Sequence, residues 1–254
     1  MASIPIKTPQ QIEKMRAAGR AAATVLDRLA RLVAPGVTTG EIDREAADCM
    51  ASIGCRSAFL GYRKFPGQIC ISVNEEVVHG IGGPRRLAYG DIVKIDVGVI
   101  LDGWIGDTAT TVACGAVDPE TERLCTATKR MLEGAIPFAT AGRRLGDLSN
   151  YIESEAVRQG FSVVKEFVGH GVGSKLHEEP QIPNYGRRGS GPKLKPGMTL
   201  AIEPMINLGA EGVRILEDRW TVVTSDGKPS AHFEHTILVT ENEPEVLTCL
   251  PRIA

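Results

Sequence analysis

Apolar residues at 12, 15, 22, 26 and 29 recur with helical spacing behind Thr8-Pro9-Gln10-Gln11, a capping box with proline at the first helical position. The pattern predicts a helix from there to a stop at Pro35-Gly36. Thr38 with Glu41 forms a second box and opens a helix through Ile42, Ala46 and Met50 to Gly54. A loop with Phe59, Tyr62, Phe65 and Pro66 leads to a strand near Cys70 to Val73 and a polar, glycine-rich passage holding His79. Two apolar, β-branched runs then flank Leu101-Asp102-Gly103-Trp104. Asp-Gly in that setting predicts a two-residue type I′ hairpin. With that turn Gly98 faces Asp107 and Ala109 faces Asp96, so both aspartates fall on one face as diagonal neighbours.

The order then repeats. Asp118-Pro119 caps a third predicted helix with Leu124, Met131 and Leu132, and a fourth runs from about Leu145 through Leu148 and Ile152 to Gly160. A shift of 106 residues lays Gly36, Gly40, Ile42 and Gly54 onto Gly142, Gly146, Leu148 and Gly160. Further on, a strand from Thr199 reaches Glu203, and another, His232 to Val239, carries Glu234; His232 and His235 beside it are read as lying on the opposite face, as packing residues or as support behind the ligands. Each half therefore offers two helices and then strands bearing two acids. The expectation is an α+β fold: one domain over residues 1–254, with pseudo-twofold halves at about 8–114 and 115–245, helices outside and acids converging inside.

Charge narrows the partners. With 29 Lys plus Arg against 31 Asp plus Glu, the bulk charge gives no support for specific nucleic-acid binding or membrane affinity. Six cysteines without a CxxC pair point to reduced thiols in a cytoplasm. Residues 1–30 hold no signal-peptide core and no apolar run approaches a membrane span. The expectation is a soluble, cytoplasmic protein, with monomer as the default.

Gly169-His170-Gly171-Val172-Gly173 reads as a loop that presents one imidazole between close-approaching glycines. With Asp96, Asp107, Glu203 and Glu234 it makes four carboxylates and one neutral nitrogen. Four such acids, partly buried and without countercharge, require protonation or divalent cations. Oxygen-rich ligation with one imidazole and no thiolate suits manganese, iron or cobalt(II), accommodates zinc, and argues against a purely structural zinc site. Bridging carboxylates would set two ions roughly 3.5 to 4 Å apart.

Taken together, Lys94-Ile95-Asp96-Val97, Gly106-Asp107-Thr108, Gly169-His170-Gly171-Val172-Gly173, His177-Glu178-Glu179-Pro180, Ile202-Glu203-Pro204 and Phe233-Glu234-His235-Thr236 resemble the type I methionine aminopeptidases along nearly the whole chain. The resemblance implies the duplicated pita-bread fold, a curved antiparallel sheet with helices on its outer face. It implies removal of the N-terminal methionine of nascent polypeptides by water activated between two divalent metal ions. Position by position, Asp96 would chelate one metal, Asp107 and Glu234 would bridge both, and His170 and Glu203 would complete the other site. His79 matches the histidine near the scissile amide, His177 the one near its carbonyl oxygen, and Glu203 doubles as the proton shuttle. Phe59, Tyr62, Phe65, Cys70, Leu176 and Trp220 match positions lining the methionine pocket, expected to be apolar and closed. The resemblance also implies work near the ribosome, with Arg85-Arg86 or Arg187-Arg188 as contact loops against a reading of them as solvated loop.

There are departures. Lys64 stands where the family often has glycine, Val78 replaces a frequent cysteine, Gly82 a frequent proline and Leu176 a common aromatic. All border the pocket and none is a ligand. Thirty residues between Glu203 and Glu234 leave no room for the helical insertion of type II relatives. Two alternatives stand beside this reading: an Xaa-Pro aminopeptidase or prolidase-like peptidase, which shares the ligand set but usually carries a further N-terminal domain that does not fit before Thr8, and a non-catalytic pita-bread binding protein, which typically loses ligands.

Overall fold

The structure is a computed structural model that describes residues 3–250. Helices α1 (Pro9–Ala30) and α2 (Thr39–Ser52) lead into strands β1 (Arg56–Ser57), β2 (Cys70–Val73) and β3 (Glu76–Val78). The hairpin of β4 (Ile92–Leu101) and β5 (Trp104–Ala113) precedes α3 (Pro119–Ala135) and α4 (Leu145–Arg158). Short strands follow: β6 (Ser162–Val163), β7 (Gly169–Gly171), β8 (Glu178–Ile182), β9 (Thr199–Ile202) and β10 (Met205–Asn207). The last are β11 (Val213–Ile215), β12 (Val222–Thr224), β13 (Ser230–His232), β14 (Glu234–Leu238) and β15 (Glu245–Val246).

Both N-terminal capping boxes form. Thr8 and Gln11 exchange side-chain and backbone bonds, as do Thr38 and Glu41. Helix α1 nevertheless stops at Ala30, short of the expected Pro35-Gly36. Residues 31–37 turn away because Gly36, at φ 89°, donates to the carbonyl of Leu87 (2.8 Å), which ties the linker to another segment.

A nine-stranded antiparallel sheet runs β1-β4-β5-β14-β9-β7-β8, with β2 on β4 and β15 on β14. Asp102 and Gly103 turn the β4/β5 hairpin with φ of 48° and 78°, the type I′ signature, and the register sets Asp96 opposite Ala109 and Gly98 opposite Asp107. Odd-numbered residues Val93, Ile95, Val97 and Val99 of β4 face α1 and α2 in one buried cluster, with Ile42 and Met50. In the other half α3 and α4 cover Leu200, Ile202 and Ile237 in a second cluster. Helices thus lie on one face and leave the opposite face of the sheet for the acids.

Contacts at the helix starts recur between the halves. Gly36 donates to Leu87 and Gly142 to Leu194; Gly40 donates to Gly83 (2.7 Å) and Gly146 to Ser190 (3.0 Å). The strand expected over His232 to Val239 is divided at Phe233: β13 belongs to a three-stranded sheet β13-β10-β6, whereas β14 lies in the main sheet.

Candidate metal centre

The alternation of the sheet gathers the acids. Cys70, Asp96, Ala109 and Glu234 are consecutive partners across β2, β4, β5 and β14, so two carboxylates flank one alanine in a single row. Asp107, two positions before Ala109 on β5, points the same way from the neighbouring row. His170 pairs with Ala201 of β9, and Glu203 follows two residues later, just past the strand end. The segment around His170 is a short strand, β7, and not the loop expected; a bulge between His170 and Gly171 aims the imidazole inward. Its flanking glycines are required by close packing, since a Cβ at 169 would overlap the carbonyl of Ala201 and one at 171 that of Glu179.

Ligand atoms of Asp107, His170 and Glu234 lie within 4.8 Å of one another, and all three residues are buried. His170 Nε2 stands 3.7 Å from Asp107 Oδ2 and 3.5 Å from Glu203 Oε1. Its Nδ1 lies 2.9 Å from the carbonyl of Gly171. A carbonyl only accepts, so the proton sits on Nδ1 and the Nε2 lone pair faces the acids, as a metal ligand requires. Asp96 Oδ1, Asp107 Oδ1 and Glu234 Oε1 are buried without a hydrogen-bond donor, and no Lys or Arg pairs with the four acids among the described residues. Orphaned acceptors at this density fit a divalent cation cradle.

Electrostatics agree with the geometry. Burial, and then the neighbouring acids, push the carboxyls of Asp96, Asp107, Glu203 and Glu234 well above the usual carboxylate range. Burial pushes His170 down to about 3, helped by His177, so it is neutral. A carboxyl with a raised value stabilises the metal-free fold below its ordinary value near 4 and loses that contribution as pH rises through the raised one. The depressed imidazoles act with the opposite sign: their contribution is complete above the ordinary 6.5 and is lost as pH falls toward about 3. Above 6.5 the imidazoles add no slope, and within the site it is the carboxyls that titrate, while buried Lys94, lowered to about 7, adds a slope of its own elsewhere in the fold. Divalent cation binding is therefore expected to release carboxyl protons and to tighten with rising pH above the imidazole range. Titration calorimetry in buffers of different ionisation enthalpy measures that proton release, and equal affinity across this range with no proton released is the contrary result.

Beside the acids opens a cavity of about 280 Å³. All six expected pocket residues line it: Phe59, Tyr62, Phe65, Cys70, Leu176 and Trp220. Phe65 meets Trp220 edge to face at 5.1 Å. These six make one largely apolar side, but the cavity also carries the acids and histidines and is not closed, since exposed Arg63, Glu166 and His177 form part of its wall and leave a way in. His79 sits on one wall at φ 61°, a left-handed conformation uncommon for histidine, with its ring 5.4 Å from Phe167 and 6.2 Å from Trp220. Burial and the neighbouring His177 lower it to about 4. On the other wall His177 lies 4.3 Å from His170, ring to ring, and its Nδ1 is 2.8 Å from the Tyr62 hydroxyl. Partial burial, and then Arg63, lower its pKa.

Besides Arg63 and Glu166, further residues at the site lie outside the expected set. Phe167 and Met205 line the cavity. His232, expected on the opposite face from Glu234, is fully buried with Nε2 3.5 Å from Glu203 Oε2. Two positions before Glu234, it shares that acid's side by strand alternation, and the break at Phe233 leaves it there; His235 does lie away from the site, bonded to Thr248 (2.9 Å). Gly98 matters for a different reason, because a Cβ there would overlap the ring of Phe59. Gly98→Ala is expected to push Phe59 into the cavity, cost roughly 1–3 kcal/mol of stability and raise KM about tenfold with little change in kcat. Steady-state kinetics on a methionyl peptide checks it.

The model of metallopeptidase family M24 matches residues 13–241. Methionine aminopeptidase 1 of Bacillus subtilis is 48% identical over 242 residues, covering 95% of this chain and 98% of that relative. The crystal structure of methionine aminopeptidase from Thermotoga maritima superposes with a TM-score of 0.96 at 45% identity, over 98% of this chain and 100% of that one. A prolidase from Pyrococcus furiosus shares the fold with a TM-score of 0.79, at 22% identity over 97% of this chain and 66% of the prolidase. Among the described residues no helix is long and apolar enough to cross a membrane.

Proposed function

Because the chain belongs to metallopeptidase family M24, and within it to the methionine aminopeptidases, we propose that it removes the N-terminal methionine of nascent polypeptides by hydrolysing the first peptide bond. The observation that carries the reading is the buried set of orphaned carboxylate oxygens around a correctly oriented His170, opening onto an apolar cavity. The family implies divalent metal. Asp96, Asp107, His170, Glu203 and Glu234 would together hold two such ions; manganese, iron or cobalt(II) would suit this set, and zinc would be accommodated. When bound, such a pair supplies an activated water and polarises the carbonyl under attack.

The chain's own residues do the rest. The methionine side chain fills the cavity between Phe59, Phe65, Cys70 and Leu176, where a thioether gains from apolar and aromatic contact. Tyr62 donates its O–H to Nδ1 of His177, which puts the ring proton on Nε2 and lets His177 donate to the developing oxyanion. His79, neutral and held by Phe167 and Trp220, donates at the amide. Glu203 takes a proton from the attacking water and returns it to the leaving amine.

The paired bonds of Gly36 and Gly142, and of Gly40 and Gly146, support a single catalytic domain with repeated halves at about 8–114 and 115–245. Of the arginine pairs suited to a ribosomal surface, Arg85 is committed to Glu76 (2.8 Å) and Arg86 to the carbonyl of Gly36 (2.8 Å), which favours Arg187-Arg188. Hydrolysis of Met-Ala-Ser and Ala-Pro peptides with added manganese or cobalt tests the proposal. Cleavage of the first alone is expected. Cleavage of the second alone shifts the reading to the proline-specific relatives, and cleavage of neither shifts it to a binding protein.

A further inference from the structure

We propose that His232 is a positioning residue for Glu203: its Nε2–H holds Oε2 of that carboxylate and so leaves Oε1 as the oxygen presented to the metal cradle. The inference rests on the functional reading above and extends it to a residue outside the ligand set.

Two imidazoles flank one carboxylate. His170 Nε2 is 3.5 Å from Oε1 of Glu203, and His232 Nε2 is 3.5 Å from Oε2. Their roles differ because their other nitrogens differ. His170 spends its Nδ1 proton on Gly171, so its Nε2 offers a lone pair. Both ring nitrogens of His232 are buried without a hydrogen-bond partner, and Glu203 is the acid paired with its Nε2. A carboxylate only accepts, so the imidazole meets it with the proton on Nε2, whatever its charge. An imidazole without a partner at this depth is destabilising, and Glu203 Oε2 is the acceptor to hand for its Nε2, at 3.5 Å.

The backbone around the pair is fixed on both sides. Thr111 Oγ1 donates to the carbonyl of His232 (2.7 Å) and accepts from its N–H (3.0 Å), and Met205 is its partner in the β10/β13 pairing. Asn184 Nδ2 holds the carbonyl of Glu203 (3.0 Å). Glu203 lies past the end of β9, outside the ladder that fixes the other acids, so its side chain needs a restraint that Asp96, Asp107 and Glu234 obtain from their strands. Tying Oε2 makes Glu203 a one-oxygen ligand in a set orientation.

Three variants test this: His232→Leu removes the donor at similar size, His232→Gln replaces it with an amide N–H of similar reach, and His232→Asn carries an amide too short to reach. Manganese(II) is titrated calorimetrically into the metal-free proteins, and kcat and KM are measured on Met-Ala-Ser. Leucine and asparagine are expected to weaken manganese binding roughly 10- to 100-fold and to lower kcat over the same range, with KM within about twofold. Glutamine is expected to restore both to within about threefold of the parent. Parental manganese affinity in His232→Leu, or glutamine no better than leucine among variants that melt like the parent, overturns the proposal. Should leucine fail to fold, the glutamine and asparagine variants carry the same comparison, and equal behaviour of the two overturns it. A parent that binds manganese but leaves Met-Ala-Ser intact refutes the functional reading, while the calorimetry still decides the role of His232.

Discussion

Glu234→Ala is expected to abolish divalent metal binding and turnover together, lowering kcat/KM by at least ~10³-fold, about 4 kcal/mol of transition-state stabilisation. Glu234 is 2% exposed, shares its row with Asp96, and lies with Asp107 and His170 in a cluster whose ligand atoms fit one ion. In the proposed centre Glu234 is a donor common to both ions, so its loss would leave neither with a full set. The change does not threaten the fold. In the metal-free protein Glu234 carries a buried oxygen without a donor, and its carboxyl is forced upward by burial and by Asp107, Glu203 and Asp96. Removing it relieves that repulsion, so metal-free Glu234→Ala melts at or above the metal-free parent. The parent gains stability on adding manganese by mass action, and the variant does not. Thermal melts with and without manganese read both effects. Asp107→Ala should behave alike, since Asp107 is 3% exposed and shares the cradle.

His177→Ala is expected to separate chemistry from metal binding: turnover falls roughly 10² to 10³-fold while manganese affinity stays at the parental level. His177 faces the cavity wall at its exposed rim, beside His170, and its Nδ1 is engaged by Tyr62. In the proposed mechanism it donates to the substrate only as negative charge grows on the carbonyl oxygen, so its removal is expected to lower kcat more than it raises KM. Tyr62→Phe leaves the ring in place and removes only its orientation, so a smaller loss follows. A metal-loaded His177→Ala enzyme with full activity contradicts this role.

What was legible in the sequence was what local rules control. Asp102-Gly103 sets the hairpin by its own backbone preference, and that register alone aligns Asp96 with Asp107 on one face. Thr8 and Thr38 start their helices through contacts three residues away. Where a distant segment decides, the reading fell short. Helix α1 ends early because Leu87 captures Gly36. His170 lies in a strand of three residues, too short to carry a period, and its pairing with β8 and β9 exists only in the folded sheet. His232 lies on the side of Glu234 because strand alternation puts residues two apart on one face; the expectation of the opposite face holds for His235, one position away, and not for His232. Phe167 and Met205 reach the cavity from segments with no distinguishing pattern. The candidate donors were legible because each type of donor is chemically marked; the residues that orient them were not, because orientation is a property of the assembled sheet.

The claim on which the rest depends is that Asp96, Asp107, Glu203, Glu234 and His170 form a two-metal centre. Anomalous diffraction from crystals of the protein grown with manganese, collected at the manganese edge, tests it most directly. The account predicts two peaks roughly 3.5 to 4 Å apart, both within bonding distance of Asp107 and Glu234, one also beside Asp96 and the other beside His170 and Glu203. A saturated crystal with no peak among these five residues, or with a single one, would contradict it.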